Sequence, residues 1–188
     1  NVITVGGSVF SSCYSLTTVE MPKIETITGY MFNQCESLKY LDVSCAKAIN
    51  ETAFYQCTSL KSIDLPSVES IGKTIFPYCE NLEEIYFYNN APAITGDLHS
   101  SSLTIYYPGN KTGWDNLIQT QSIHNWVEWT PPESIEITTP PQKTNYIFQD
   151  KFDTSGMVVT AYYPDETSGQ ITDYIIFPRS GLQLFDTE

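Results

Sequence analysis

The sequence predicts a mostly β chain in two parts: a solenoid of 22-residue coils ending in a cap (residues 1–130), then a small β-sandwich (131–188). Three observations predict it. Four cysteines, Cys13, Cys35, Cys57 and Cys79, recur every 22 residues inside a frame of apolar columns. That frame fails after Phe87, where a strand pattern and a short helical pattern follow. Thr130-Pro131-Pro132-Glu133 then breaks the pattern, and short alternating apolar runs begin.

The repeat carries the first part. Phe10, Phe32, Phe54 and Phe76 stand three residues before the cysteines, and Leu16, Leu38, Leu60 and Leu82 three after. Val19, Leu41, Ile63 and Ile85 follow in register, then Met21, Val43, Leu65 and Phe87. Ile24 and Ile27 recur as Ala46 and Ile49 and as Val68 and Ile71. The last two apolar residues of the L-x-x-[IVL]-x-[LMVF] unit alternate, so they share one face of a short strand. One copy cannot bury its columns alone, whereas stacking copies at the ~4.8 Å inter-strand spacing buries them continuously. Pro22 and Pro66 end their strands because proline has no N–H for the ladder.

The pattern F-x-x-C-x-x-L-x-x-I-x-L-P-x-[IV]-x-x-I-G over about residues 1–107 resembles the BspA-like leucine-rich repeats of bacterial surface proteins, most closely from Phe54 to Ile75. The resemblance implies a leucine-rich-repeat solenoid and a secreted or wall-attached, adhesion-type protein. The second copy reads Ser44-Cys45 where its neighbours read Pro-Lys or Pro-Ser, so its turn is expected to differ. The first residues, Val2, Val5, Gly6 and Phe10, read as the middle of a repeat, and the chain is expected to be a piece of a longer protein.

A solenoid needs its last apolar layer covered. Leu103, Ile105 and Tyr107 alternate as one more strand, closed by Pro108-Gly109. Trp114, Leu117 and Ile118 follow at helical spacing, with Thr112 as the expected N-cap. Trp114, Trp126 and Trp129 are expected to pack in this capping layer rather than form a sugar-binding platform.

In the second part the runs Ile135/Ile137, Tyr146/Phe148, Val158/Thr160/Tyr162 and Ile171/Tyr174/Ile176 suggest a β-sandwich. Tyr146 and the stretch Phe152-Asp153-Thr154-Ser155-Gly156-Met157-Val158-Val159 resemble the group 3 bacterial immunoglobulin-like domain, as do Ala161-Tyr162-Tyr163 and Thr172-Asp173-Tyr174. This implies an immunoglobulin-like sandwich acting as a spacer. Two turn glycines usual in that family stand here as Gln149 and Glu166, so those turns are expected to differ. One or two further strands would be needed after Gly181 to complete the sandwich.

Charge and composition exclude several functions. The chain carries 9 basic and 22 acidic residues, a formal charge of −13, spread over both halves. Such a surface repels nucleic acid and anionic membranes. No stretch approaches the ~20 apolar residues of a membrane helix, and no charged-then-apolar signal segment opens the chain.

Nothing resembles a catalytic constellation. The cysteines form single columns without the C-x-x-C or H-x-x-x-H spacing of a zinc site, so they are expected to be free packing thiols. His99 and His124 stand in no nucleophile motif. Glu83 and Glu84 are adjacent in a strand and face opposite ways, which keeps them from working as a pair. Asn50-Glu51-Thr52 and Asn110-Lys111-Thr112 match glycosylation sequons, read here as coincidence. No cofactor and no metal is expected.

The candidate binding residues lie on the outward strand face. Glu20, Asp42, Asp64 and Tyr86 form one column, and Thr18, Tyr40, Ser62 and Glu84 the next. Stacked carboxylates repel, and Lys39 and Lys61 are placed to offset them. The expected site is Glu20, Tyr40, Asp42, Asp64, Glu84 and Tyr86, docking a basic protein surface or a polysaccharide; the competing expectation is a merely solvated face. A non-catalytic binding module leads, ahead of a structural spacer within a larger surface protein and of an accessory region of a carbohydrate-active enzyme.

Overall fold

A computed structural model describes residues 5–98, 103–123, 125–143, 145 and 153–171, with the backbone of 174–177 and 181–184. The chain forms two compact units, Asn1–Trp129 and Thr130–Glu188. The elements run β1 Thr18–Glu20, β2 Thr26–Ile27, β3 Tyr40–Asp42, β4 Ala48–Ile49, β5 Ser62–Leu65, β6 Ser70–Ile71, β7 Glu84–Phe87, β8 Ala93–Ile94 and β9 Thr104–Pro108. Then follow α1 Trp114–Thr120, β10 Asn125–Trp129, β11 Ser134–Thr139, β12 Val158–Tyr162, β13 Ser168–Ile171, β14 Tyr174–Phe177 and β15 Gly181–Leu184.

The first unit is a solenoid of about five turns. Its second face is the parallel ladder β2-β4-β6-β8, and its main face comprises the parallel pair β1-β3 and the parallel ladder β5-β7-β9-β10. Phe10, Phe32, Phe54 and Phe76 stack along the axis with successive ring centroids 5.5, 5.3 and 5.3 Å apart. That spacing follows the rise between neighbouring strands, so each apolar column is continuous from rung to rung. Cys35, Cys57 and Cys79 pack beside the rings, and each thiol donates to the phenylalanine carbonyl one rung back: Phe10 (3.1 Å), Phe32 (3.2 Å) and Phe54 (2.9 Å).

A third hydrogen-bonded column runs through the turns that lead from each second-face strand to the next main-face strand. Ser8, Tyr30, Thr52 and Thr74 share a left-handed backbone, as do Ser12, Gln34, Gln56 and Tyr78. Left-handed geometry costs a non-glycine residue about 1–2 kcal/mol. It aims N–H groups along the axis: Phe10 N to Met31 O, Phe32 N to Ala53 O, Phe54 N to Ile75 O, and likewise Ser12 N to Asn33 O and Gln34 N to Tyr55 O. Gln34 adds a side-chain bond to Gln56 (3.2 Å).

The main-face ladder is interrupted between β3 and β5, next to the second copy's Ser44-Cys45. Its turn sits where the first one does and closes similarly, Ala46 N to Val43 O (2.8 Å) against Ile24 N to Met21 O (3.0 Å). The difference lies in Ser44, which has an N–H that Pro22 and Pro66 lack. Asp42 Oδ1 accepts that N–H (3.2 Å).

The end of the solenoid differs from expectation in two respects. β10 adds a further rung, pairing with β9 in register Trp126 to Ile105. The N-cap of α1 is Gly113, at φ 91° and without a side-chain cap, rather than Thr112. Thr112 is held instead by the neighbouring loop, its N–H on Asn90 Oδ1 and its carbonyl accepting from Ala91 N. Leu103, Ile105, Trp114 and Leu117 are buried, and Trp126 packs against them.

In the second unit β11, β12 and β13 form an antiparallel sheet in that order, and β14 pairs with β15 antiparallel. Met157, Val159 and Ala161 are buried, so β12 turns inward the face opposite to Val158, Thr160 and Tyr162. Ile171 ends β13, while Tyr174 and Ile176 belong to β14; the expected single run is two strands. Tyr146, Phe148, Gln149 and Phe152 lie outside the described residues. These sheets do not by themselves make an immunoglobulin-like sandwich. The turn at Glu166 retains a left-handed residue, with Glu166 at φ 65°, and Asp165 Oδ1 accepts from Thr167 N and Oγ1. Those bonds hold the Asp165 carboxyl below the usual carboxylate range.

Candidate interaction face

The outward residues of the main face come from every second position of each strand. Thr18 faces Tyr40, and Ser62, Glu84, Thr104 and Asn125 run alongside one another. In the next column Glu20 faces Asp42, and Asp64, Tyr86, Tyr106 and Val127 stand in line. Pro108 and Trp129 continue the outer side one step further.

The structure corrects two of the expected exposures. Asp42 is 0% exposed and Tyr86 only 4% exposed. Asp42 is turned to the Ser44 turn, which makes it a structural carboxylate. Tyr86 is covered by its neighbours: Tyr106 stacks on it at 4.4 Å and 6°, and Trp129 meets it edge-on at 5.2 Å. Glu20, Tyr40, Asp64 and Glu84 are half-buried, and Asp64 and Glu84 join the same cluster.

Tyrosine hydroxyls bond two of the carboxylates. Tyr86 Oη donates to Glu84 Oε2 (3.1 Å) and Tyr106 Oη to Glu84 Oε1 (3.3 Å). Tyr88 Oη donates to Asp64 Oδ1. Lys39 and Lys61 are exposed and make no ion pair among the described residues. Sequence reasoning missed Tyr88 and Tyr106 and placed Trp129 in the capping layer. Trp129 donates its Nε1 to Phe87 O (3.1 Å) and stands edge-on to Tyr86, Tyr88 and Tyr106. The three tryptophans therefore divide: Trp114 and Trp126 pack together in the cap at 6.3 Å, while Trp129 belongs to the outward cluster. Each of these rings has its polar tip bonded, so the cluster presents a pre-ordered surface whose side-chain entropy is already spent.

The cysteine column is chemically quiet. Burial, with Cys13 nearby, pushes the Cys35 thiol up to about 11. The neighbouring Cys79 thiol, together with burial, pushes the Cys57 thiol up as well. All five cysteines are free thiols, and thiols kept protonated as Cys35 and Cys57 are make poor nucleophiles and metal ligands. Among the described residues no group of three or more His, Cys, Asp or Glu is placed to hold a metal. Glu84 lies on the outward face while Glu83 is exposed at the strand's start. His99 and His124 lie outside the described residues.

The family model for the BspA type leucine rich repeat region matches residues 1–106 in six copies, more than half of the chain. The chain belongs to the BspA-type leucine-rich-repeat family. Comparison with the curated proteins and with the solved structures finds no match. The six copies exceed the four that the strict 22-residue spacing displays. Leucine-rich repeats are in general non-catalytic and mediate protein interaction, and BspA-type members are typically bacterial surface or secreted proteins. The family match ends before α1, β10 and the second unit. No helix among the described residues is long and apolar enough to cross a membrane.

Proposed function

We propose that this chain is a non-catalytic adhesion module of a bacterial surface or secreted protein, with its repeats as the binding face and its second unit as an immunoglobulin-like spacer. The observation that carries this reading is the outward cluster of Tyr86, Tyr88, Tyr106 and Trp129 around Asp64 and Glu84, set on a repeat of an interaction family. Tyrosine and tryptophan give large contact area for little conformational entropy, and they dominate binding energy where they are found at interfaces. Carboxylates among them, on a chain of charge −13, favour a basic protein surface. Glu20 and Tyr40 extend the same face over the first rungs.

The rings also favour a second reading, in which the ligand is a polysaccharide whose C–H faces pack on Trp129 and Tyr106. Immobilised chain probed with extracellular-matrix proteins and with a glycan array separates the two. A protein ligand whose affinity falls with salt supports the first reading, and salt-insensitive glycan retention the second. Retention of neither class defeats both and leaves the chain a structural spacer.

A further inference from the structure

The outward column of the main face changes character at its last rung. Asp64, Tyr86, Tyr106 and Val127 stand side by side in register along β5, β7, β9 and β10. The rings of Tyr86 and Tyr106 lie 4.4 Å apart and nearly parallel. That separation is close to the rise between neighbouring strands, so the two rings stack along the ladder. The stack covers Tyr86, which is buried. Tyr106 turns its other face toward the place of Val127, and a valine has too little side chain to cover a phenol ring. Val127 is itself 40% exposed, and Tyr106 is half-buried. The column therefore ends in a shelf with room for one more flat group.

The surroundings of this shelf are anionic and aromatic. Tyr106 Oη and Tyr86 Oη donate to the two oxygens of Glu84, which holds a carboxylate at the hydroxyl edge of both rings. A phenol that donates to a carboxylate gains electron density, and its ring face attracts a cation more strongly. Trp129 stands edge-on to Tyr106 at 6.4 Å and walls one side. A neutral ring would fill the space and leave the charge unanswered. An ammonium would answer the charge, but it is compact and strongly hydrated. A guanidinium is flat, weakly hydrated and always charged, so it meets both the ring and the carboxylate.

Building on the basic-protein reading of this face, we propose that the shelf at Tyr106 and Val127 receives an arginine side chain of the partner. The guanidinium lies as the next layer of the stack, its plane against Tyr106 and its charge beside Glu84. Val127 is then a specificity residue by being small.

Fluorescence anisotropy of a glycine-spaced arginine peptide and of its lysine counterpart of equal charge, each titrated with the whole chain, reads this preference. The arginine peptide should bind at least about fivefold tighter. Val127→Phe fills the shelf with a ring and removes no charge, and it should bring the two affinities to within about twofold. Val127→Ala should keep the preference. Tyr106→Leu removes the stacking face instead and should also abolish it; Tm of each variant confirms that the fold is retained. Equal affinities for the two peptides in the unaltered chain would overturn the proposal, and the basic-protein reading would still stand if a basic matrix protein is retained. A preference that survives in both Val127→Phe and Tyr106→Leu would overturn it by placing the arginine elsewhere. A neutral glycan retained by the chain and lost in Val127→Phe, with no preference between the peptides, would assign the shelf to a sugar. Retention of neither peptide and of no basic protein would remove both readings.

Discussion

At the scale of the residue, the molecule rests on columns whose members are equivalent in sequence but unequal in environment. Phe54 lies fully buried between Phe32 and Phe76, each 5.3 Å away, whereas among the described residues Phe10 has a ring neighbour only at Phe32. Phe54→Ala should therefore cost about 3–5 kcal/mol, the usual range for a buried phenylalanine. Phe10→Ala should cost less than half as much; urea unfolding of the two variants measures the difference. The cysteines make a second prediction. Cys35 titrates at about 11 in the fold against an ordinary 9.0. Above pH 9 the unfolded chain holds fewer protons at this group than the folded one, so its contribution is complete below 9 and lost as pH rises through 11. Tm should fall across that window, and Cys35→Ala should lessen the fall; an identical slope in the variant would show the thiol to be uninvolved. Asp42 shows what a column does not reveal. Its position in the alternation is outward, yet its carboxylate is drawn to the Ser44 N–H because that turn lacks the proline of its neighbours. Asp42→Ala would unsettle a turn as well as remove a charge, which makes Glu84, Tyr106 and Trp129 cleaner probes of binding.

At the scale of the element, rungs with the full 22-residue spacing were legible, because every apolar column recurs in them. The spacing falls to 20 between Ile85 and Ile105 and to 21 between Ile105 and Trp126. The fifth strand was still readable from its own alternation, but the sixth dissolved into what looked like a tryptophan-rich cap. The left-handed turns were not legible at all, since Ser8, Tyr30, Thr52 and Thr74 share that backbone shape without the glycine or asparagine that usually marks it. The outward cluster escaped for a related reason: it joins Tyr86, Tyr106 and Trp129, which become neighbours only once the shortened rungs are aligned. The helix cap was misread because Thr112 has the better capping side chain, while the chain must pass beside Ala91 in a conformation that suits glycine. A Cβ on Gly113 would lie 3.1 Å from that of Ala91, on a backbone at φ 91°. Gly113→Ala should thus destabilise the cap by at least about 1 kcal/mol, and Thr112→Ala should change stability by under about 0.5 kcal/mol. Thermal unfolding of the pair checks both. Glu166, left-handed without being glycine, predicts the reverse sign: Glu166→Gly should gain up to about 1 kcal/mol.

At the scale of the whole molecule, the repeat unit presents an acidic, aromatic strand face whose rings are packed before any partner arrives. Away from that face Tyr14, Tyr30 and Tyr78 stand exposed on turns, where Tyr78 meets Tyr55 edge-on at 5.2 Å. The sequence pointed to a candidate face on the strands that included Asp64, Glu84 and Tyr86, but could not show that the hydroxyls of Tyr86, Tyr88 and Tyr106 bond its carboxylates. The central claim is that this face binds a basic protein. Surface plasmon resonance against the matrix protein that the chain retains, with Tyr106→Ala, Trp129→Ala and Glu84→Gln set beside Tyr30→Ala and Tyr78→Ala, tests it most directly. Each strand-face variant should lose at least about tenfold in affinity, roughly 1.4 kcal/mol, and the turn variants should show no change. Full affinity in Tyr106→Ala and Trp129→Ala, or a loss confined to Tyr30→Ala and Tyr78→Ala, would contradict it.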